Sequence, residues 1–500
     1  MVRSKGLKEL ARATPEGYLK DGTGETRITG LTYDSRSVEP GFLFLAVPGE
    51  RFDGHAFLDR AVASGAAAVV IQADRVAETV VPSVPTLIVP NVRAALGPIA
   101  GAFYDFPTRA LYLAGVTGTN GKTTVTRMID SIARAAGERT GTVGTLGATV
   151  AGEAIPHDRT TPEAPDLQRL FAGMRAAGAV SAVMEVSSHA LVSGRVTGCA
   201  YDVGVFTNLT QDHLDFHGTM EAYRDAKGLL FTEYADAARE DGKKFVAVLN
   251  VGSDAGRYYA TITRADRTIT YATDGPADIR ATEVHPAIDA IRFVAETPNG
   301  RVPIDLPFGG RFNVENALAA IGYGIARGLA VEVIARGLST CPPVPGRFEP
   351  VRVGQEFAVL VDYAHTPDGL ENVLTSARPL TPGRLIAVFG CGGNRDRTKR
   401  PIMGGIATRL ADIVVVTSDN PRREEPEAII DEIFTGMAVG GTVYREADRR
   451  KAIALAVGIA RAGDTVVIAG KGHEDYQILG DETIHFSDVE VAGEELRNVI

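Results

Sequence analysis

The sequence predicts an α/β protein of three domains, with a mostly parallel central sheet and a C-terminal, Rossmann-like doubly wound sheet. Three observations carry that reading. Short β-rich apolar runs alternate with helical patterns along the chain, the mark of parallel α/β architecture. A Gly/Thr-rich turn at 115–124 joins an apolar run to a helical pattern. The length, 500 residues, corresponds to about three domains of ordinary size.

The first block, 1–108, is read as an N-terminal α/β domain. Its apolar runs Phe42–Val47, Ala66–Ile71 and Thr86–Val89 predict strands, and Ala56–Ala63 and Arg93–Phe103 predict helices. The second block, 109–344, opens with a buried-strand run, Ala110–Gly115, and a helical pattern from Lys122 to Ala136. Further strands are expected at Ala179–Val186, Asp202–Phe206 and Lys244–Leu249, and an Ala-rich helix at Val314–Ala326. Cys341-Pro-Pro-Val-Pro-Gly346 has the composition of a linker and marks a hinge. The third block, 345–500, restarts the alternation. Strands are expected at Phe357–Val361, Leu385–Phe389, Ile413–Thr417 and Thr465–Ala469. Helices are expected at Asp368–Ser376, Ile402–Leu410, Pro426–Met437 and Arg449–Ala460. In such sheets ligands bind beyond the carboxyl ends of the strands.

Composition excludes several classes. The net charge is −10, which argues against non-specific nucleic-acid binding, a function that needs a basic face. Three cysteines, Cys199, Cys341 and Cys391, are too few for a disulfide framework and read as small buried hydrophobes. Met1–Lys20 has no apolar h-region, and no run approaches the length of a membrane span. A cytoplasmic protein is expected.

The most specific local signal is Gly115-Val-Thr-Gly-Thr-Asn-Gly-Lys-Thr-Thr124. It follows a strand and opens a helix, the context a phosphate-binding loop requires. Glycines admit backbone N–H groups to phosphate oxygens, and the helix N-terminus favours an anion. Lys122 is placed to pair with β- and γ-phosphates, and the Thr123 hydroxyl to meet Mg²⁺. The first glycine sits one residue earlier than the usual spacing demands. This loop makes the central sheet one of P-loop ATPase type.

Two later strands end in groups suited to metal and phosphate chemistry. Glu185, in Glu185-Val-Ser-Ser-His189, lies where P-loop enzymes hold a metal. His213 follows another strand end, and Lys227 lies on the helix beginning at Met220. Taken singly, each is an ordinary solvated or structural residue. Spacing for a zinc cluster is absent.

Together these segments resemble the Mur ligases, ATP-dependent amide-forming enzymes of peptidoglycan synthesis. Thr117–Thr124 resembles their nucleotide loop. Arg311-Phe-Asn-Val-Glu-Asn-Ala317, Gly346-Arg-Phe-Glu349 and Asp362-Tyr-Ala-His-Thr-Pro367 follow in the family's order. The resemblance implies ATP as co-substrate, bound by Gly118, Thr119, Asn120, Gly121, Lys122, Thr123 and Thr124. It further implies adenine contacts from Asn313 and Asn316, a ribose contact from Asp362 and a γ-phosphate contact from Arg347. Two Mg²⁺ ions are implied, one served by Thr123 and Glu185. His213 and a CO₂-derived carbamate on Lys227 serve the other.

Within the family, the likeness is to members that add a diamino acid to UDP-N-acetylmuramoyl-L-alanyl-D-glutamate. Ser35, in Thr32-Tyr-Asp-Ser-Arg36, resembles a uridine-binding segment. Thr160, Thr161, Ser187 and Arg195 are implied contacts to the muramoyl dipeptide. Relatives often carry glutamine two residues before that arginine; here the residue is Ser193. Asp419, Asn420, Pro421 and Arg422 form the motif of members selecting meso-diaminopimelate, joined by Arg395, Gly470 and Glu474. A guanidinium suits the extra carboxylate that distinguishes meso-diaminopimelate from lysine. The implied reaction phosphorylates the D-glutamate γ-carboxylate and lets the diamino acid attack the acyl phosphate. Partners are then small molecules acting on a monomer, with no nucleic acid and no membrane span. The same reaction with L-lysine, a folylpolyglutamate synthetase-like ligase and a P-loop regulatory switch are the alternatives. The last needs an Asn-Lys-x-Asp motif, which the chain lacks.

Overall fold

A computed structural model describes residues 4–14, 16–20, 25–49, 52–76, 83–150, 152–155, 157, 159–438 and 440–499. Each sequence block contributes its own sheet. In the first, Tyr18–Lys20, Thr86–Val89, Ala68–Gln72, Phe42–Leu45 and Gly30–Thr32 lie side by side in that order. All pairings are parallel except the edge strand Tyr18–Lys20.

The central sheet has 11 strands. Its parallel middle runs Thr140–Gly144, Ser181–Glu185, Tyr112–Thr117, Val203–Phe206, Val246–Asn250, Arg267–Ala272 and Ile279–Pro286. Tyr112–Thr117, Ser181–Glu185, Val203–Phe206 and Val246–Asn250 are buried on both faces, which is why they read as mostly apolar runs. Ala114, Val116, Val183 and Val205 face one core, with the helices Lys122–Ala135 and Phe312–Ala326. Leu113, Met184, Phe206 and Leu249 face the other, with the helix Ala164–Ala176.

Both flanks of this sheet are antiparallel, which the apolar-run reading did not anticipate. Gly147–Val150 and Glu153–Ile155 extend one edge. Ile279–Pro286, Ile291–Thr297 and Gly300–Leu306 form a meander at the other. The meander's signal is period two: Ile291, Phe293 and Ala295, then Val302, Ile304 and Leu306, are buried among solvent-facing neighbours. Pro303 is tolerated because Gly300–Leu306 is an edge strand.

The third sheet orders Glu349–Pro350, Ala358–Asp362, Thr465–Ala469, Leu385–Phe389, Ile413–Val416 and Thr442–Arg445, parallel except at Glu349–Pro350. Side chains alternate between two cores. Leu385, Ala387 and Phe389 pack toward helices Pro367–Ala377, Lys399–Leu410 and Pro426–Phe434. Ile386 and Val388 pack toward Arg449–Ile459 and Asp488–Val499. Helices therefore cover both faces, as a doubly wound sheet requires.

Several expected boundaries shift. The expected helix at Ala56–Ala63 is a 3₁₀ turn, Gly54–Phe57, followed by helix Leu58–Ala63, because the Asp53 carboxylate caps the His55 N–H. The expected helix at Ile402–Leu410 starts earlier, at Lys399, with Pro401 in its first turn, where a missing N–H costs nothing. Pro426–Met437 ends as a helix at Phe434. No helix among the described residues is long and apolar enough to cross a membrane.

Candidate active site

The phosphate loop is built by the strand Tyr112–Thr117 and the helix Lys122–Ala135. Gly118 and Gly121 adopt φ of +153° and +84°. A Cβ on Gly118 would collide with the Thr207 hydroxyl, and one on Gly121 with the Asn316 amide. Both positions thus require glycine for space as well as for φ. Asn208 holds the loop in shape: its carbonyl accepts from Thr119 N–H at 2.9 Å and its side chain from Asn120 N–H at 2.8 Å. No side chain caps the helix, so its first-turn N–H groups point into the loop as an anion site. Lys122 Nζ donates to the Gly118 and Thr119 carbonyls at 2.9 and 2.8 Å.

Beside the loop, a cavity lies between the second and third units. Asn120, Gly121, Asn316, Arg347 and Asp362 line it. The Asp362 carboxylate is fixed by Phe348 N–H at 2.7 Å and Ala364 N–H at 2.8 Å, and burial raises its pKa. Arg347 stacks over Tyr363 at 4.6 Å and reaches the Thr123 hydroxyl at 3.5 Å. Asn313 stands behind the wall: it donates to Gly309 O and accepts from Asn316 at 2.8 Å, so it orients Asn316.

Glu185 is buried at its strand end. Its carboxylate accepts from Thr145 N–H at 2.8 Å and from the Thr145 hydroxyl at 3.1 Å. Lys227 is also buried; its Nζ donates to Gly118 O at 2.9 Å and sits 4.3 Å from the Tyr223 ring centre. Burial, reinforced by the Lys122 cation, pushes its pKa well below the ordinary lysine range. His213, at φ +53°, belongs to the rim of a second cavity.

That second cavity gathers the third-unit candidates. Arg395, Asp419, Asn420, Arg422, Gly470 and Glu474 all line it, opposite His213. Pro421 shapes the turn between Asn420 and Arg422, and Arg422 takes φ +54°. Arg422 donates to Gly393 O at 3.0 Å, and burial followed by the neighbouring Arg395 cation lowers its pKa. Two guanidiniums side by side make one anion-seeking wall. Asp419 and Glu474 line the same cavity near Arg422, with the buried Lys471 ammonium 3.9 and 3.4 Å from their carboxylates.

A third cleft opens between the first and second units, lined by Arg93, Arg159, Glu163 and Arg195. Thr161 ties its floor to the sheet: its hydroxyl donates to Glu185 O at 2.9 Å, and its carbonyl accepts from Arg195 at 3.4 Å. Ser187 meets the Thr161 hydroxyl at 3.3 Å, and Thr160 meets Thr145 at 3.2 Å. Ser35 is buried in the turn Ser35–Ser37 and does not line this cleft.

Comparison with known proteins is consistent along the whole chain. Residues 27–104 match the model described as Mur ligase family, catalytic domain; 116–324 match the Mur ligase middle domain; 346–472 match the Mur ligase, glutamate ligase domain. A protein of Gloeobacter violaceus is 50% identical over 94% of each chain. One of Geobacillus thermodenitrificans is 48% identical over 97% of this chain and 98% of its own. Both are named UDP-N-acetylmuramoyl-L-alanyl-D-glutamate--2,6-diaminopimelate ligase. The chain belongs to the Mur ligase family. A solved structure bearing the same enzyme name superposes with a TM-score of 0.69 at 32% identity, covering 99% of both chains.

The donor set was weighed against the Mg²⁺ that Mur ligases are expected to use. Mg²⁺ takes oxygen ligands and shares them with substrate phosphates. Thr123 and Glu185 offer such oxygens beside the phosphate loop. As an ammonium Lys227 cannot ligate a cation, whereas its carbamate presents two oxygens. Burial disfavours the ammonium form of Lys227, and the neutral amine is the form that adds CO₂. The residues therefore fit. Among the described residues no group of three or more His, Cys, Asp and Glu is arranged to hold a metal ion.

Three further residues beside these cavities escaped sequence reasoning. Asp368 accepts from Asn120 at 2.6 Å and from Thr210 at 3.1 Å, clasping the third unit to the phosphate loop. Glu163 is buried and is met by Arg93, Arg159 and Arg195. Lys471 is fully buried between Asn420 and Glu474. Only Lys471 carried a local signal, because it lies inside Gly470–Glu474. All three cysteines are buried, and burial pushes each thiol up to about 12, so none is a reactive thiolate.

Proposed function

We propose that this chain is the ATP-dependent ligase that adds meso-diaminopimelate to the D-glutamate γ-carboxylate of UDP-N-acetylmuramoyl-L-alanyl-D-glutamate, in peptidoglycan precursor synthesis. The observation that carries this reading is the second cavity. It gathers two guanidiniums, Arg395 and Arg422, and two carboxylates, Asp419 and Glu474, in a space that His213 also lines. A diamino acid with a far carboxylate suits that mixture of charges.

The cleft between the first and second units, lined by Arg195 and backed by Thr160, Thr161 and Ser187, holds the muramoyl dipeptide, and Ser35 belongs to the uridine end. The cavity beside the loop holds ATP, with Asn316 near adenine, Asp362 on the ribose and Arg347 toward the γ-phosphate. We read the units as domains 1–108, 109–344 and 345–500; the matched segments 27–104, 116–324 and 346–472 support that division. Thr123, Glu185, His213 and a carbamate on Lys227 would hold Mg²⁺, which supplies charge neutralisation between two anionic reactants.

The chain's own work is positioning. First-turn N–H groups and Lys122 cradle the phosphates, so the γ-phosphorus lies in line with the carboxylate oxygen. That oxygen bonds to phosphorus as ADP leaves. The diamino acid's neutral amine attacks the carbonyl carbon, the C–O bond to phosphate breaks, and the amine's proton is lost. Phosphate therefore leaves carrying one former carboxylate oxygen. Dipeptide labelled with ¹⁸O in the γ-carboxylate is expected to give phosphate containing one ¹⁸O per amide formed. Unlabelled phosphate would rule out the acyl-phosphate route.

A further inference from the structure

The two arms of the second cavity leave strands that do not touch. Asp419–Arg422 follows the strand Ile413–Val416, and Gly470–Glu474 follows Thr465–Ala469. The strand Leu385–Phe389 stands between them, so no ladder hydrogen bond sets the distance from one arm to the other. Side-chain contacts cross that gap, Asn420 to Glu474 at 3.0 Å among them, and one side chain holds both arms by their backbone carbonyls. Arg449, the first residue of the helix Arg449–Ile459, is 1% exposed. Its Nη1 donates to Ser418 O at 3.2 Å and its Nη2 to Ala469 O at 3.0 Å. Those carbonyls belong to the residues immediately before Asp419 and Gly470. The guanidinium is oriented by Asp488, itself fully buried, at 2.7 Å to Nε and 2.6 Å to Nη2.

The tolerance at this gap is small. A Cβ on Gly470, whose φ is +123°, would lie 3.0 Å from the Asp419 carboxylate. Further buried contacts continue the same tie: Gln477 donates to Asp419 O at 2.7 Å, and Lys471 to the Asn420 side chain at 3.1 Å. A buried ion pair is a poor device for stability alone, because a well-packed apolar pair of similar volume does as well or better. Its planar fork does what an apolar pair cannot, which is to fix two backbone carbonyls at a set spacing.

We propose that Arg449, oriented by Asp488, is a positioning residue that sets the gauge between the Asp419–Arg422 and Gly470–Glu474 arms, and so sets affinity for the incoming diamino acid. The proposal rests on reading the second cavity as the amino-acid pocket. A control exists in the same sheet. Arg384 pairs with Asp464 at 2.6 Å and donates to Ile459 O at 2.8 Å, at the opposite ends of the strands.

The test uses the full-length chain in steady-state ADP release, with ATP, the UDP-muramoyl dipeptide and meso-diaminopimelate each varied. Arg449→Lys and Asp488→Asn are expected to raise KM for diaminopimelate about tenfold or more, with the other two KM values within about twofold of the parent. Arg384→Lys is expected to lower Tm without that split. Unchanged KM for diaminopimelate in both test variants overturns the proposal. So does a parallel rise of all three KM values, the same split in Arg384→Lys, or failure of both test variants to fold by circular dichroism. If the parent protein itself does not turn over diaminopimelate, the pocket reading fails and takes the proposal with it; a parent that works beside variants without the split sinks the positioning role alone.

Discussion

Lys227 is the residue whose surroundings most alter its chemistry. Its nitrogen is buried under the phosphate loop, on the Gly118 carbonyl, and burial disfavours its charged form. With the carbamate proposed above, removing it would delete an anionic group next to the transferring phosphoryl, so Lys227→Ala is expected to lose about 100-fold or more in kcat. Acetate or bicarbonate added to the variant should restore part of that loss; full activity without rescue would refute a carbamate there. Residues such as Lys122, Thr123 and Glu185 were legible in the sequence because strand–loop–helix context fixes their placement. Asn313 was legible as a site residue but not as the one that orients Asn316, because a helix pattern does not say which of two amides faces the cavity. Arg449, Asp368 and Glu163 were illegible for a plainer reason: the partners that tie them across sheets or units, Ser418 and Ala469, Asn120, and Arg93, are distant in sequence, and no local spacing encodes such a pairing.

At the scale of elements, the helix Lys399–Leu410 is pinned under the second cavity by Arg400, which is fully buried. Arg400 meets Glu424 at 2.9 Å and Glu432 at 2.8 Å, and donates to Gly392 O at 3.3 Å, the loop that carries Arg395. The Arg400 hydrogen bond, helped by Asn394 N–H, draws the Glu424 carboxyl down from 4.5 to about 2. A depressed carboxyl contributes its stability above its unfolded value and loses it as pH falls through the folded one. Glu424→Gln is therefore expected to cost about 2 kcal/mol near neutral pH, seen as a lower Tm, with the gap to the parent narrowing as pH falls from 4.5 toward about 2. A gap that stays constant with pH would contradict the ion-pair account. Parallel strands buried on both faces, such as Val203–Phe206 and Leu385–Phe389, were the legible elements because they leave an apolar run, whereas the parallel strands Thr140–Gly144 and Arg267–Ala272 carry threonines and glycines or alternate and were missed. The meander at 279–306 was missed too, since its alternating residues resemble polar loop when sought as runs.

At the scale of the molecule, catalysis needs the third unit held against the second. Asp368 supplies one clasp, accepting from Asn120 and Thr210. Arg347 supplies another, reaching from the third unit to the Thr123 hydroxyl at 3.5 Å. Asp368→Ala is expected to raise KM for ATP roughly tenfold, the equivalent of about 1.4 kcal/mol. It should also enlarge the radius of gyration in small-angle scattering, with an ATP analogue and the muramoyl dipeptide restoring compactness. An unchanged radius and an unchanged KM would dismiss the clasp. The acidic net charge, −10, cannot draw in two anionic nucleotides, so local cations must: Lys122, Arg195, Arg347, Arg395 and Arg422. The account as a whole turns on what the last two of these select. The most direct test compares kcat/KM for meso-diaminopimelate and L-lysine in ADP release with saturating ATP and UDP-muramoyl dipeptide. A preference for diaminopimelate of about 100-fold or more, collapsing in Arg422→Ala, is expected; equal or better turnover of lysine by the parent protein would contradict it.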